Sequence, residues 1–161
     1  MVSIEICDPA SQEVGDLIRA LDADLWQRYP AGPIHGIDID AFKAAGGVFM
    51  VARDGARAVA CGAYRPIGVD TVEIKRMFTR QEARGQGHSR RLLSALEAHA
   101  SARGFEHVLL ETGDQQPEAL RLYESSGYAR IAKFGEYVDS SYSICFAKAL
   151  PTLAQVERHA G

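Results

Sequence analysis

The chain has 161 residues, a hydrophobic share of 47%, a charged share of 24% and a formal net charge of −3. That length carries one domain with a core of its own. The slightly acidic balance argues against nucleic acid or an anionic membrane as the main partner. No apolar run is long enough to span a bilayer, and the stretch from Met1 to Ile6 lacks a signal-peptide pattern. Cys7, Cys61 and Cys145 are odd in number and lack metal-ligand spacing, so they read as buried free thiols of a reducing, cytoplasmic compartment. No metal is expected.

Val2, Ile4 and Ile6 alternate with Ser3 and Glu5, which predicts a first strand over 2–7. Ser11 can cap a helix over 11–28, because Val14, Leu17, Ile18, Leu21 and Leu25 recur at helical spacing. Trp26 and Tyr29 close that helix and Pro30 stops it. Residues 30–38 are a loop by composition. A short helix over about 38–45 follows, capped by Asp38 or Asp40. Val48–Ala52 is a buried strand, Asp54-Gly55 a hairpin signal, and about 57–64 the return strand. A strand over 71–79, a helix over about 87–103 and a strand over 107–111 come next. Pro117 opens a short helix that Gly127 ends. Residues 128–134 and 142–149 read as a last pair of strands. The tail from 151 to 161 carries no clear order. The order predicts a mixed α/β layer with helices on both faces.

The most informative stretch is Arg84-Gly85-Gln86-Gly87-His88-Ser89, between the strand at 71–79 and the helix that follows. Two glycines one residue apart let the backbone approach a bulky anion. The helix points its unsatisfied N–H groups and positive dipole end at the same place. That is the design of a phosphate-binding turn. A dinucleotide-binding turn would need Gly-x-Gly-x-x-Gly directly after the first strand of a parallel sheet, and neither the position nor the third glycine is present.

These residues resemble the acetyl-CoA signature of the GNAT superfamily of N-acetyltransferases, Arg/Gln-x-x-Gly-x-Gly/Ala. Upstream, Glu73-Ile74-Lys75-Arg76-Met77-Phe78-Thr79 looks like the family's fourth strand. Downstream, Ala119 to Tyr128 looks like its helix ending in Tyr-x-x-x-Gly-Phe/Tyr. The three motifs follow the family's order and spacing. Ser89 departs from the usual Gly or Ala, and its hydroxyl offers a further phosphate contact. Gln116 departs from the usual Asn and caps a helix less well.

The resemblance implies one GNAT domain over residues 2–150, with a central, mixed, mostly antiparallel sheet of six to seven strands (α/β, or α+β, in class). It implies acetyl-CoA as co-substrate. Backbone N–H groups of Gln86 to Ser89 would cradle the pyrophosphate, with Arg84 and Arg90 adding charge. Main chain at Met77, Phe78 and Thr79 would hold the pantetheine arm, for which that strand must splay from the strand at 107–111. Tyr123 would lie near the sulfur and protonate the leaving thiolate; a phenol of ordinary pKa, about 10, is protonated at neutral pH. Glu73 matches the glutamate that serves some members as base. Glu111, on the neighbouring strand, is a second carboxylate. The acceptor pocket would draw on Trp26, Tyr29, His35, Phe134, Tyr137 and Tyr142. The implied reaction is acetyl transfer to a primary amine of a small molecule. Protein or peptide acetylation is the nearest alternative, and a catalytically weak acyl-CoA-binding protein the next. Homodimers are common in such folds, and nothing in the sequence specifies one.

Overall fold

The computed structural model describes residues 1–32 and 36–160. Its elements in chain order are β1 (Val2–Ile6), α1 (Gln12–Arg28), α2 (Ile39–Ala44), β2 (Val48–Asp54), β3 (Arg57–Pro66) and β4 (Thr71–Thr79). Then come a 3-10 turn (Gln81–Ala83), α3 (His88–Ala102), β5 (His107–Gly113), α4 (Pro117–Ser125) and β6 (Ala129–Ile131). A second 3-10 turn (Gly135–Tyr137), β7 (Ser143–Ala149) and α5 (Leu153–Ala160) complete it. Seven strands pair in the order β1-β2-β3-β4-β5-β7-β6. The β1–β2, β2–β3, β5–β7 and β6–β7 pairings are antiparallel and β4–β5 is parallel, the mixed, mostly antiparallel sheet expected. No helix among the described residues is long and apolar enough to cross a membrane.

Packing groups the chain into two compact units, Met1–Arg65 with Lys75–Leu96, and Pro66–Ile74 with the chain from Glu97 on. The first unit holds β1 to β3, the second half of β4, α1, α2 and the start of α3. Ser11 accepts a hydrogen bond from the Val14 N–H at 3.3 Å and Asp38 one from the Ala41 N–H at 2.9 Å, so polar caps start α1 and α2 as the sequence predicts. Val14, Leu17 and Leu21 of α1 and Phe42 of α2 bury against Phe49 and Val51 of β2 and Cys61 and Ala63 of β3. Gly62 faces the other way, since neighbours in a strand point to opposite faces. A Cβ there would lie 2.3 Å from the Met77 sulfur and 3.0 Å from Leu96 of α3. Helices therefore cover both faces of this unit.

In the second unit, β5 pairs with β7 from His107↔Ala149 to Gly113↔Ser143. The Tyr128 hydroxyl and the Lys148 ammonium each donate to Glu97 of α3 at 2.8 Å. β6 is only three residues long, shorter than the 128–134 expected. After Ile131 the chain leaves the ladder for the turn that carries Tyr137. The tail differs most from the sequence reading, for residues 153–160 are helical. Thr152 and Gln155 form a reciprocal cap: Gln155 N–H donates to the Thr152 hydroxyl at 3.2 Å, and Thr152 N–H to the Gln155 side chain at 2.8 Å. Thr-Leu-Ala-Gln is a capping-box sequence, and this local signal outweighs the absence of a buried face.

Candidate functional site

In the first unit the stretch from Arg84 to Gly87 forms an exposed turn into α3. Gly85 and Gly87 both adopt left-handed backbone, φ +79° and +81°. A Cβ on Gly85 would meet nothing within 4 Å, so conformation rather than crowding makes glycine the fitting residue. Alternating turn geometry at a helix start gathers N–H groups into an anion-binding concavity. The first-turn N–H groups of α3 have no partner within the helix. The residues present therefore fit a phosphate.

The side chains brace this turn. Arg84 donates from Nε to the Thr79 carbonyl at 3.0 Å, pairs with Asp24 of α1 at 3.5 Å and lies over the Phe78 ring. The Ser89 hydroxyl shares a 2.8 Å hydrogen bond with that of Thr79, so here it ties the helix start to the strand end. Arg91 donates to the Gln86 carbonyl at 2.9 Å, turning that oxygen to its own side chain; the sequence reading did not single it out. His88 lies in the turn, yet its ring is 2% exposed and neither ring nitrogen has a hydrogen-bond partner. Spacing could have shown this, because His88 falls four and eight residues before Leu92 and Leu96, on the apolar stripe of α3.

β4 carries the least expected feature. Arg76 has φ +59° and is the one non-glycine residue with positive φ among the described residues. Left-handed backbone costs an ordinary residue roughly 1–2 kcal/mol. Its guanidinium is buried and ion-paired with Asp22 of α1. The kink precedes Met77, Phe78 and Thr79. The parallel β4–β5 pairing covers Thr71↔His107 to Ile74↔Leu110, and the paired stretch ends two residues before the kink.

The second unit gathers the titratable groups. Glu73 is 1% exposed and accepts a 2.7 Å hydrogen bond at Oε2 from the Tyr137 hydroxyl, itself on a residue 3% exposed. Register places Glu73 beside Leu109, and Glu111, two residues further on, opposite Cys145. Glu73, Glu111 and Cys145 therefore share one face of this part of the sheet. Tyr123 of α4 is 4% exposed and packs on rings from the other face, 6.0 Å from Phe146 and 5.8 Å from Tyr128. Burial, and then the charge of Glu111, push the Tyr123 phenol above its ordinary range. Burial and the charge of Glu73 do the same for Tyr137. Burial raises the Cys145 thiol as well, which keeps it protonated and a poor nucleophile.

The remaining expected residues are placed as follows. Trp26 is 58% exposed and Tyr29 buried, both at the end of α1 in the first unit. Glu111, Phe134 and Tyr142 are half-buried in the second unit. His35 lies outside the described residues. Gln116 precedes Pro117 and makes no side-chain cap, in keeping with its departure from Asn. Asp70, Glu106 and His107 bring their ligand atoms within 4.8 Å of one another at the starts of β4 and β5, where they are partly to fully exposed.

The sequence signature of the Acetyltransferase (GNAT) family matches residues 12–128. The chain belongs to that family. It is 37% identical over 153 residues to an IAA acetyltransferase of Azospirillum brasilense, covering 92% of this chain and 98% of that one. It is 27% identical to the uncharacterised N-acetyltransferase YsnE of Bacillus subtilis (strain 168), covering 91% and 99%. A crystal structure from Klebsiella pneumoniae, assigned as an acyl-CoA N-acyltransferase, superposes with a TM-score of 0.79 at 31% identity over 93% of this chain and 98% of that one. As a GNAT acetyltransferase the chain needs a place for its donor's phosphates and groups to manage protons at the reacting centre.

Proposed function

We propose that the protein transfers an acetyl group from acetyl-CoA to a primary amine of a small molecule by direct attack. The observation that carries this reading is the paired left-handed glycines at the start of α3 in a chain of the GNAT family. A GNAT acetyltransferase from Elizabethkingia anophelis with acetyl-CoA bound shares the fold, with a TM-score of 0.70 at 17% identity. The end of the β4–β5 pairing at Ile74↔Leu110 supports main chain at Met77–Thr79 as the partner of the pantetheine arm. The co-substrate supplies a thioester whose C–S bond breaks as the amine nitrogen bonds to the acyl carbon.

The chain's own residues would then divide the work. N–H groups of Gln86 to Ser89 and the charges of Arg84 and Arg90 hold the pyrophosphate. Glu73, a carboxylate held out of water, accepts the proton that the amine loses. Tyr123 keeps its proton, because burial and Glu111 raise its pKa. It serves as a hydrogen-bond donor at the departing sulfur. Complete transfer from so weak an acid to a thiolate of pKa about 8.5 is uphill. Trp26, Tyr29, His35, Glu111 and Tyr137 remain the candidates for contact with the acceptor or support of its pocket.

Release of free thiol from acetyl-CoA, screened against amines, amino acids, polyamines and aminoglycosides, tests the proposal. Amine-dependent release is the expected outcome. Modification of protein lysines without turnover of any free amine would instead mark a protein acetylase. Tight acetyl-CoA binding without turnover would mark a binding protein.

A further inference from the structure

Tyr137 stands where an acceptor-lining aromatic is expected, yet it is buried and its hydroxyl is spent on Glu73. The two residues lie 64 positions apart in sequence, and the hydrogen bond between them is 2.7 Å long. The chain invests structure in placing that hydroxyl. After β6 it turns through Gly135 at φ +54°. The Tyr137 N–H donates to the Phe134 carbonyl and the Ser140 N–H to the Tyr137 carbonyl, each at 3.0 Å. Lys133 donates to the Ser140 carbonyl and the Ser143 hydroxyl to that of Ser140. The Asp114 N–H donates to the Tyr142 carbonyl at 2.9 Å and ties the end of the segment to the chain after β5. The Tyr137 ring meets that of Phe134 edge-on, with centroids 5.3 Å apart and planes at 81°. A ring held on these sides cannot swing to serve as an adaptable wall.

We propose that Tyr137 is a positioning residue for Glu73, fixing the orientation of its carboxylate so that it can take the amine proton. This rests on the reading of Glu73 as base under Proposed function. A hydroxyl that donates to one carboxylate oxygen holds that oxygen in a fixed direction. In a site shielded from water that donor counts for more than at the surface. Within the second unit the Tyr137 hydroxyl feels the charges of Glu73, of Glu111 from β5 and of Glu136 from its own turn, and Cys145 from β7 lies near Glu73 and Glu111.

The test is Tyr137→Phe, which keeps the ring against Phe134 and removes only the oxygen. The rate constant kcat for the amine reaction falls by about 10- to 100-fold, the cost of a misplaced catalytic group, while KM for acetyl-CoA stays unchanged. Adding Tyr137→Phe to Glu73→Gln costs nothing further, because both act through one carboxylate. An unchanged kcat, or losses that multiply in the double variant, would overturn the proposal. A second variant, Gly135→Ala, strains the turn that presents Tyr137 without touching the pair, and kcat should fall while KM for acetyl-CoA again stays unchanged. Carbon-13 NMR of the Glu73 carboxyl in the resting protein, with and without Tyr137→Phe, reads loss of the hydrogen bond as a moved resonance without turnover. A moved resonance in a protein that acetylates no amine would sink the proposed function and leave the positioning role. An unmoved resonance in an active enzyme would do the reverse.

Discussion

Gly87→Ala puts the cradle to a quantitative test. Gly87 has φ +81°, and a new Cβ would come no closer than 3.7 Å to the Arg91 guanidinium. The substitution therefore introduces left-handed strain of about 1–2 kcal/mol and no clash. The turn from Arg84 to Gly87 is exposed, so in the free protein it relaxes and little stability is lost. Binding must then pull it back, and the strain appears in the affinity. A cost of 1–2 kcal/mol corresponds to a rise in Kd for CoA of roughly 5- to 30-fold. Gly104 is the control. It ends α3 at φ +91° with nothing within 4 Å of a new Cβ, so Gly104→Ala carries similar strain away from the turn and should leave Kd unchanged. Titration calorimetry of both variants with CoA reads the difference. Equal affinity in the wild type and Gly87→Ala would refute the assignment of the turn.

Two further outcomes concern stability. Both ring nitrogens of His88 are buried without partners, so His88→Leu, which extends the stripe of Leu92 and Leu96, should stabilise the protein by about 1–3 kcal/mol and raise Tm; a lower Tm would show that the ring is satisfied. Tyr123, Tyr128 and Tyr137 all have folded-state pKa values raised above the unfolded value near 10 by burial and neighbouring carboxylates. Below pH 10 their protonated forms contribute fully. Above it the unfolded chain binds fewer protons than the native one, so stability falls as pH rises toward the folded values. Urea melts between pH 8 and about 11 should show a falling midpoint above pH 10, with phenolate absorbance appearing on unfolding; a flat midpoint would refute it.

Much of this was legible in the sequence because local chemistry decides it. Ser11 and Asp38 cap the helices they precede, and Gly55 makes the expected hairpin. The two glycines of the 84–89 turn are left-handed as an anion cradle requires. What escaped is non-local or runs against residue preference. Nothing in the letters Lys-Arg-Met says that an arginine will take φ +59°, a conformation that glycine would accept without strain; the Asp22 ion pair that goes with it comes from a helix 54 residues earlier. The Tyr137–Glu73 bond likewise joins distant segments, so spacing could not separate an acceptor-lining tyrosine from a carboxylate-holding one. Two further features are legible in the letters: His88 lies on the helical stripe of its neighbours, and Thr152–Gln155 spells a capping box.

The most direct test of the account is thiol release from acetyl-CoA with and without an amine substrate identified by the screen, in the wild type and in Glu73→Gln with Tyr123→Phe. The wild type should release thiol only when the amine is present. The double variant should lose at least about 100-fold in kcat, the contribution expected of a positioned base together with a lost hydrogen bond at the sulfur, while still binding CoA. Wild-type activity in the double variant would contradict the roles given to Glu73 and Tyr123, and failure of the wild type to bind CoA would contradict the account as a whole.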